Sequence, residues 1–302
     1  MRGTIACFFV ITIPLAAIFA NFFFIFLYVF FGLGYLSYLI WIFTCDWRTP
    51  ERGGRDSQWF RGWFLLKWYH KHYFNGEIIR GDTKGEPRLY IHYPHGVITM
   101  SVWANVLSDD TSNDMRVATL NSNFYVPILR ELVLCFGFIS ANRGSIVHCL
   151  QKTHKSVMLM AGGAQEAPLV KRGIVLDKRK GFVKIAIETG TPIVPVYTFG
   201  ERDVYNVYTP PKGSLLKGIQ KLFRKVTRGT IPYFWGRLWI FPRRVKMVTV
   251  YGDDPIIIEK NHIGNVTQES IDLYHSKFKE KLRELHEKHR ETYGEDVLNI
   301  VK

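Results

Sequence analysis

A histidine follows directly after a predicted strand in the stretch LYIHYPHGVITM, residues 89–100. Pro94 has no backbone donor and fixes its own φ, whereas Gly96 adopts turn conformations that other residues resist. The backbone between them therefore projects His95 from the end of the strand. A histidine held in this way accepts a proton near neutral pH, so we predict that His95 is a general base. The alternative is a turn histidine that only hydrogen-bonds its neighbours.

Two glutamates are the candidates to steady the ring of His95. The segment MLMAGGAQEAPL, residues 158–169, ends a predicted strand and carries Glu166 to the same expected edge of the sheet. Glu201 follows a later predicted strand. The sequence does not choose between these two carboxylates. The alternative for each is a carboxylate that is solvated or caps a helix.

Predicted strands alternate with predicted helices along the main part of the chain. Alternating or continuous apolar runs predict strands, and apolar residues at helical spacing predict helices. The strands are 88–93, 116–120, 156–161, 192–199 and 245–252, and the helices are 97–107, 126–136, 181–189 and a charged helix that ends near Gly294. This order predicts an α/β fold with a mostly parallel sheet flanked by helices. Ligands of such sheets bind beyond the carboxyl ends of the strands, where His95 falls.

The charged C-terminal helix is predicted to cover this domain. One of its faces carries Ile271, Tyr274, Phe278, Leu282 and Leu285 at helical spacing. Its histidines, His275, His286 and His289, are predicted to face solvent.

The N-terminus is strongly apolar, with no charged residue between Thr4 and Cys45. One straight helix of about 40 residues would reach about 60 Å, twice the roughly 30 Å hydrocarbon core of a bilayer. We therefore predict that residues 1–47 form a membrane hairpin, with the arginines of both flanks in the cytosol. The alternative is a cleaved signal peptide, which leaves the second half of the apolar run unexplained.

Two further segments mix aromatic and basic residues and are predicted to contact the membrane. Residues 48–79 form an interfacial segment. Residues 212–246 contain no acidic residue and form a basic amphipathic insertion within the main domain, residues 80–302. Ordinary packing on that domain is the alternative for both segments. The predicted membrane-contact side chains of the insertion are Lys217, Lys221, Arg224, Lys225, Trp235 and Trp239.

Charge and cysteine content narrow the choice of partners. The chain has 40 Lys and Arg against 26 Asp and Glu, so its surface attracts anionic headgroups and phosphorylated small molecules. Nucleic acid is disfavoured because the N-terminus is apolar and no recognition motif occurs. No metal site is predicted, since the four cysteines form no CxxC pair and His70 and His72 lie on different sides of a helix.

Three motifs resemble the diacylglycerol acyltransferase type 2 family, over roughly residues 85–260. That family has a His-Pro-His-Gly motif, a Gly-Gly-Ala-x-Glu segment, and an Arg-x-Gly-Phe helix that leads to a Val-Pro strand and Phe-Gly-Glu. The matching residues here are Pro94, His95 and Gly96; Gly162, Gly163 and Glu166; Arg179, Lys180, Gly181 and Phe182; Val194 and Pro195; and Phe199, Gly200 and Glu201. The first histidine of the family is Tyr93 here, and by strand alternation His92 points to the opposite face and does not replace it.

The resemblance implies a glycerolipid acyltransferase-like fold and a membrane-bound O-acyltransferase. Acyl-CoA is the implied co-substrate, no cofactor is needed, and diacylglycerol is the favoured acceptor, which gives triacylglycerol. Monoacylglycerol, a long-chain alcohol or a lysophospholipid are alternative acceptors, and a non-catalytic membrane lipid-binding or tethering protein is the alternative to an enzyme. Membrane lipids are further partners, and an oligomer is left open. The implied location is the endoplasmic reticulum membrane, with both termini and the catalytic domain in the cytosol, and also the lipid-droplet surface.

The predicted catalytic residues are His95 and Glu166. Residues predicted to bind substrate are Pro94, Gly96, Arg143, Gly162, Gly163, Arg179, Lys180, Gly181, Phe182 and Glu201. Of these, Arg143 in a predicted loop, Arg179 and Lys180 are candidates for the phosphates of CoA, and a plain surface charge is the alternative for each. Backbone N–H groups near Gly96 or at the Gly162–Gly163 turn are candidate donors to an oxyanion. A serine hydrolase is disfavoured because no G-x-S-x-G motif occurs.

Overall fold

The computed structural model describes residues 20–21, 32–55, 57–81, 85–107, 115–163, 166, 173–211, 213–216, 218, 221 and 233–301. Its strands are β1 (Glu77–Ile79), β2 (Leu89–Tyr93), β3 (Met115–Thr119), β4 (Phe138–Ser140), β5 (Ser156–Leu159), β6 (Ile174–Val175), β7 (Ile193–Phe199), β8 (Asn206–Tyr208), β9 (Tyr233–Trp235), β10 (Val248–Tyr251) and β11 (Ile300–Val301). Its helices are α1 (32–41), α2 (Gln58–Arg61), α3 (Phe64–His72), α4 (Pro127–Cys135), α5 (Arg143–Lys152), α6 (Gly181–Thr189) and α7 (Gln268–Tyr293).

A seven-stranded sheet with the order β1-β10-β7-β2-β5-β3-β4 forms the centre of the fold. All neighbouring strands are parallel except β10 and β7, which are antiparallel. The prediction of a mostly parallel α/β sheet is therefore confirmed. The prediction missed α5 and the strands of two or three residues, because such short runs carry too little periodicity.

Helices cover both faces of this sheet. Every residue of β2 and of β7 is buried, as expected for central strands of a parallel sheet. On one face Phe182 of α6 packs on Phe278 of α7, with ring centroids 4.8 Å apart. On the other face α4 contributes Leu129 and Val133, and a π-helical turn, Val102–Val106, packs beside them. Both faces are thus closed, and the carboxyl ends of the strands are left to form a site.

The C-terminal helix α7 is present as predicted; His289 is partly exposed, but the other two histidines of the prediction do not face solvent. His275 and His286 are buried, so that prediction is wrong. They lie three residues before Phe278 and four residues after Leu282, which places them on the apolar stripe that covers the sheet. His275 Nε2 contacts the Leu176 carbonyl oxygen at 3.1 Å.

Most of the predicted hairpin, residues 1–47, lies outside the described residues. Its described residues are 20–21 and 32–47, and the longer run contains α1 and a π-helical turn, Ile42–Asp46. The Tyr38 hydroxyl donates to the Pro127 carbonyl oxygen at 2.7 Å, which ties this part to α4. Of the helices that the structure describes, none combines the length and the hydropathy needed to cross a bilayer. The hairpin therefore stays a prediction.

The predicted interfacial segment, residues 48–79, contains α2, α3 and β1. Leu66 and Tyr69 on one face of α3 are buried in the domain. Trp59 and Phe64 are 70% and 67% exposed. The segment therefore packs on the domain by one face and presents large apolar side chains on the other.

Candidate active site

His95 lies directly beyond the carboxyl end of β2. Tyr93 ends the strand, the Tyr93–Pro94 peptide bond is cis, and Gly96 has a φ of +62°. The imidazole is half-buried, and its Nδ1 lies 3.2 Å from the Gly96 carbonyl oxygen. Because a carbonyl oxygen only accepts, Nδ1 carries the proton in this contact, and Nε2 keeps its lone pair. His95 thus presents the atom that a general base needs.

Glu166 holds the backbone on one side of His95. Its Oε2 accepts from the His95 N–H and its Oε1 accepts from the Val175 N–H, both at 2.7 Å. A Cβ atom on Gly162 would lie 2.0 Å from Glu166 Cδ, so a larger residue there would displace the carboxylate. Glycine at position 162 is therefore required by this close approach.

Glu201 holds the backbone on the other side of His95. Its Oε1 accepts from the Met100 N–H at 2.9 Å, and its Oε2 accepts from the Ser101 N–H at 2.7 Å. A Cβ atom on Gly96 would lie 2.5 Å from Glu201 Oε1. The two glutamates therefore bind backbone N–H groups that flank His95, and their contacts in the described structure do not reach the imidazole ring.

Burial shifts the pKa of all three side chains. It raises the pKa of Glu166 and that of Glu201 to about 7, although the backbone N–H donors lower both in part. Burial also lowers the pKa of His95, the Gly96 carbonyl raises it in part, and the positive charge of Arg179 lowers it further. His95 is therefore largely neutral at pH 7, the form that accepts a proton.

A cavity of about 580 Å³ opens beside His95. His95 and Gly163 are part of its wall at the edge of the sheet. The rest of the wall is mostly apolar and includes Val102, Trp103, Leu129, Val133, Phe138 and Met160. Cavities of this size and lining bind small apolar or amphipathic molecules.

Apart from His95, Gly163 and Trp239, the residues that line this cavity were not predicted from the sequence. Leu129 and Val133 are one turn apart on α4, so helical periodicity marks them as inward-facing. The same periodicity describes a residue that fills the core and one that faces a void. Only the arrangement of α4 around the strand ends distinguishes the two cases.

The mouth of the cavity is formed in part by the predicted basic insertion. Trp239 and Ile240 line the cavity and are also 79% and 52% exposed. Trp235, on β9 of the two-stranded antiparallel sheet of β8 and β9, is partly exposed, and Lys221 is exposed. The other predicted membrane-contact residues, Lys217, Arg224 and Lys225, lie outside the described residues.

The third motif places one cation next to the candidate catalytic loop, residues 94–101. Arg179 Nη2 donates to the Gly162 carbonyl oxygen at 3.2 Å and lies 3.9 Å from where a Cβ atom on Gly163 would be. Gly181 begins α6, and Phe182 is buried in the core. Of these motif residues, Arg179 reaches the site and Phe182 supports the helix that follows it.

The remaining predicted phosphate-binding residues form surface ion pairs. Lys180 Nζ lies 2.5 Å from Asp272 Oδ1, and Arg143 Nη2 lies 2.5 Å from Glu188 Oε1. Arg143 is the first residue of α5, so its placement in a loop is corrected. The backbone is still extended at Asn142, the N-cap, so the helix begins at Arg143. An anion that binds Lys180 or Arg143 would compete with the carboxylate of Asp272 or of Glu188.

Sequence comparisons with known proteins indicate one family. A family model described as diacylglycerol acyltransferase matches residues 22–301. Diacylglycerol O-acyltransferase 2 of Homo sapiens is 32% identical over 277 residues, 85% of this chain and 70% of that protein. Diacylglycerol O-acyltransferase 2 of Dictyostelium discoideum is 33% identical over 293 residues, 91% of this chain and 87% of that protein. A crystal structure of the 1-acyl-sn-glycerophosphate acyltransferase of Thermotoga maritima aligns with a TM-score of 0.43 and 14% identity, over 91% of this chain and 98% of that chain.

The chain therefore belongs to the diacylglycerol acyltransferase family. Its membership confirms the resemblance of the three motifs and the prediction that the protein is an O-acyltransferase. The site has a histidine with a free Nε2 lone pair and an apolar cavity beside it. Both features suit an O-acyltransferase.

Proposed function

We propose that the protein transfers a fatty acyl group from acyl-CoA to the free hydroxyl of diacylglycerol, giving triacylglycerol and CoA. The observation that carries this proposal is the position of His95 in the wall of an apolar cavity. Such a cavity receives a hydrocarbon chain, while the polar groups at its edge hold the reacting atoms. Family membership supports the choice of acceptor.

In the proposed reaction His95 acts as general base. Its Nε2 takes the proton of the acceptor hydroxyl as that oxygen attacks the thioester carbonyl. The ester C–O bond forms, the thioester C–S bond breaks, and the proton passes to the sulfur as CoA leaves as a thiol. No acyl-enzyme is required.

Backbone N–H groups are the proposed donors to the oxyanion of this reaction. The Gly163 N–H already donates to the Met160 carbonyl oxygen at 3.1 Å. Within the part of the chain that the structure describes, the N–H groups of Gly96 and Gly162 have no such acceptor. They are therefore the better candidates, and Arg179 beside them is the proposed contact for a phosphate of CoA.

An acceptor panel tests the proposed function directly. Membranes that contain the protein are incubated with radiolabelled oleoyl-CoA and with diacylglycerol, monoacylglycerol, a fatty alcohol or lysophosphatidate. We expect most label in triacylglycerol. Predominant label in another product would keep the chemistry and change the acceptor. No labelled product, while a related acyltransferase works in parallel, would overturn the proposal in favour of a lipid tether.

Val133→Phe should change the acyl-chain preference of the enzyme. Val133 is buried in the wall of the cavity, so a larger side chain shortens the space for a hydrocarbon chain. We expect the rate with oleoyl-CoA to fall roughly tenfold relative to the rate with decanoyl-CoA. The ratio of the two rates is measured in one preparation, which cancels differences in folded enzyme. An unchanged ratio would place the acyl chain elsewhere.

Activity and stability should depend on pH in opposite directions. Glu166 and Glu201 have pKa values of about 7 in the folded chain against 4.5 for an ordinary glutamate. Between these values the folded chain keeps protons that the unfolded chain releases, so stability falls as pH rises from about 4.5 to 7 and is lowest above that window. The rate should rise through pH 7, because ionised carboxylates hold the loop more tightly and His95 is neutral.

Paired profiles test this opposition. Initial rates and unfolding free energies are measured in the same detergent from pH 5 to 8.5. A rate that falls through pH 7, or a stability that rises between pH 5 and 7, would contradict the roles given to these carboxylates.

We further propose that residues 1–47 anchor the enzyme in the endoplasmic reticulum membrane, with both termini and the catalytic domain in the cytosol. Trp239 and Ile240 at the cavity mouth support a membrane-facing entrance, since both are exposed and apolar and a Trp ring sits well at headgroup depth. The same exposed residues suit a lipid-droplet surface. Acceptor lipids would then enter the cavity from the membrane.

The sequon at Asn265 tests this orientation. Asn265 lies in the sequence NVT on an exposed turn before α7, where a lumenal enzyme would glycosylate it. We expect no sugar at Asn265 in a native host. A mobility shift on endoglycosidase treatment that is abolished by Asn265→Gln would contradict the cytosolic placement.

A further inference from the structure

A second histidine, His92, lies beneath the catalytic loop and has no role in the reaction described above. It is 0% exposed. Its Nε2 lies 2.9 Å from Thr198 Oγ1 and 3.2 Å from Ser101 Oγ. Its Nδ1 has no hydrogen-bond partner among the residues that the structure describes. Within the described structure, Nε2 therefore makes all the polar contacts of this ring.

These contacts decide which nitrogen of His92 carries the proton. Burial lowers the pKa of His92 to about 3, so the ring is neutral at pH 7. A proton on Nδ1 would be a buried donor without an acceptor, which is unfavourable. A proton on Nε2 has two hydroxyl oxygens within reach. Nε2–H is therefore the donor, and the hydroxyl proton of Ser101 is free to donate elsewhere.

Ser101 connects His92 to Glu201, which holds the loop that carries His95. Its side chain hydrogen-bonds Glu201, and its backbone N–H donates to Glu201 Oε2 at 2.7 Å. Glu201 also accepts from Met100 and lies against Gly96, the residue after His95. A displacement of Ser101 would thus move the carboxylate that sets one side of the loop.

A row of hydrogen-bonded polar side chains holds His92 in place through Thr198. Thr198 Oγ1 lies 2.8 Å from Thr249 Oγ1, which accepts from Asn105 Nδ2 at 2.6 Å. Asn105 Oδ1 lies 2.8 Å from His70 Nδ1 on α3. This row lies on four elements, namely β7, β10, the π-helical turn Val102–Val106 and α3, so the ring of His92 has little freedom to turn.

We propose that His92 is a positioning residue for acyl transfer: its Nε2–H holds Ser101 against Glu201 and so keeps the catalytic loop in the geometry that His95 requires. The effect on rate rests on the proposed function, whereas the effect on the loop does not. Tyr93 has a different role, because it points to the opposite face and packs toward α7.

Two amide substitutions test the proposal. In His92→Gln the side-chain amide reaches the position of Nε2 and restores a donor, whereas the shorter amide of His92→Asn does not reach Ser101. We expect His92→Asn to lower kcat about 10- to 100-fold, with KM for oleoyl-CoA nearly unchanged, and His92→Gln to recover most of kcat. Hydrogen exchange should speed up across residues 96–101 in His92→Asn and much less in His92→Gln.

Ser145→Ala is the matched control for the loss of a buried polar contact. The Ser145 hydroxyl is buried and donates to the Pro50 carbonyl oxygen at 2.8 Å, away from the catalytic loop. We expect it to lower stability and to leave both kcat and the exchange of residues 96–101 unchanged. Equal kcat and equal exchange in His92→Asn and His92→Gln would overturn the proposal. If the wild type transfers no acyl group, the proposed function fails, and the exchange comparison still decides the role of His92.

Discussion

His95→Ala should lower the rate of acyl transfer by roughly 10²- to 10⁴-fold, the usual contribution of a general base. The substitution removes the Nε2 lone pair and leaves the apolar wall of the cavity in place. KM for oleoyl-CoA should therefore change little while kcat falls. Initial rates with radiolabelled oleoyl-CoA and diacylglycerol, over a range of both concentrations, separate the two parameters.

His148→Ala is the control for this substitution. His148 is a half-buried histidine on α5, outside the lining of the cavity, and alanine is a good helix former. We expect it to keep the wild-type rate. A His95→Ala enzyme that folds, stays in membranes and keeps the wild-type rate would remove the general base from the mechanism. Loss of transfer in both variants would point to a folding defect.

The place of His95 could be predicted because it depends on local chemistry. An apolar strand that ends in Pro94 and Gly96 has few ways to continue, and parallel strands bring their carboxyl ends to one edge. Because Glu166 and Glu201 also follow predicted strands, they were predicted to lie at the same edge of the sheet. Short-range sequence rules therefore located the catalytic loop and its neighbours.

The contacts made by the two glutamates could not be predicted in this way. From the sequence we predicted a carboxylate beside the imidazole, whereas Glu166 accepts from the backbone N–H of His95 and Glu201 accepts from those of Met100 and Ser101. Which N–H groups point inward depends on the φ and ψ angles of each loop residue. Loop angles of this kind follow from the packed neighbours, and a single sequence does not specify them.

His275 shows the same limit for a regular element. Its polar side chain suggested a solvent-facing position, but it lies on the same stripe as Phe278 and is buried, with its ring centroid 6.2 Å from that of Phe182 on α6. A buried imidazole needs a partner, which the Leu176 carbonyl oxygen provides. Residue type alone does not reveal that partner, because it comes from a distant part of the chain.

Glu201→Ala should cost more stability than any other single change considered in this protein. The substitution leaves the N–H groups of Met100 and Ser101 buried without an acceptor. At about 1–3 kcal/mol for each unsatisfied group, we expect a loss of about 2–6 kcal/mol in the free energy of unfolding. Glu201→Gln should lose less, because its single carbonyl oxygen still accepts from one of the two donors. Chemical unfolding in detergent at pH 8 measures all three proteins.

Asp203→Ala is the matched control, since Asp203 is an exposed carboxylate in the same short helix, Glu201–Asp203. It should change the free energy of unfolding by less than about 0.5 kcal/mol. The rate of acyl transfer at a temperature where each variant is folded then separates two roles of Glu201. Equal stability of the Ala and Gln variants would mean that the two N–H groups find other acceptors. A rate that stays at the wild-type value in folded Glu201→Ala would mean that the loop keeps His95 in place without this carboxylate, and that Glu166 alone suffices.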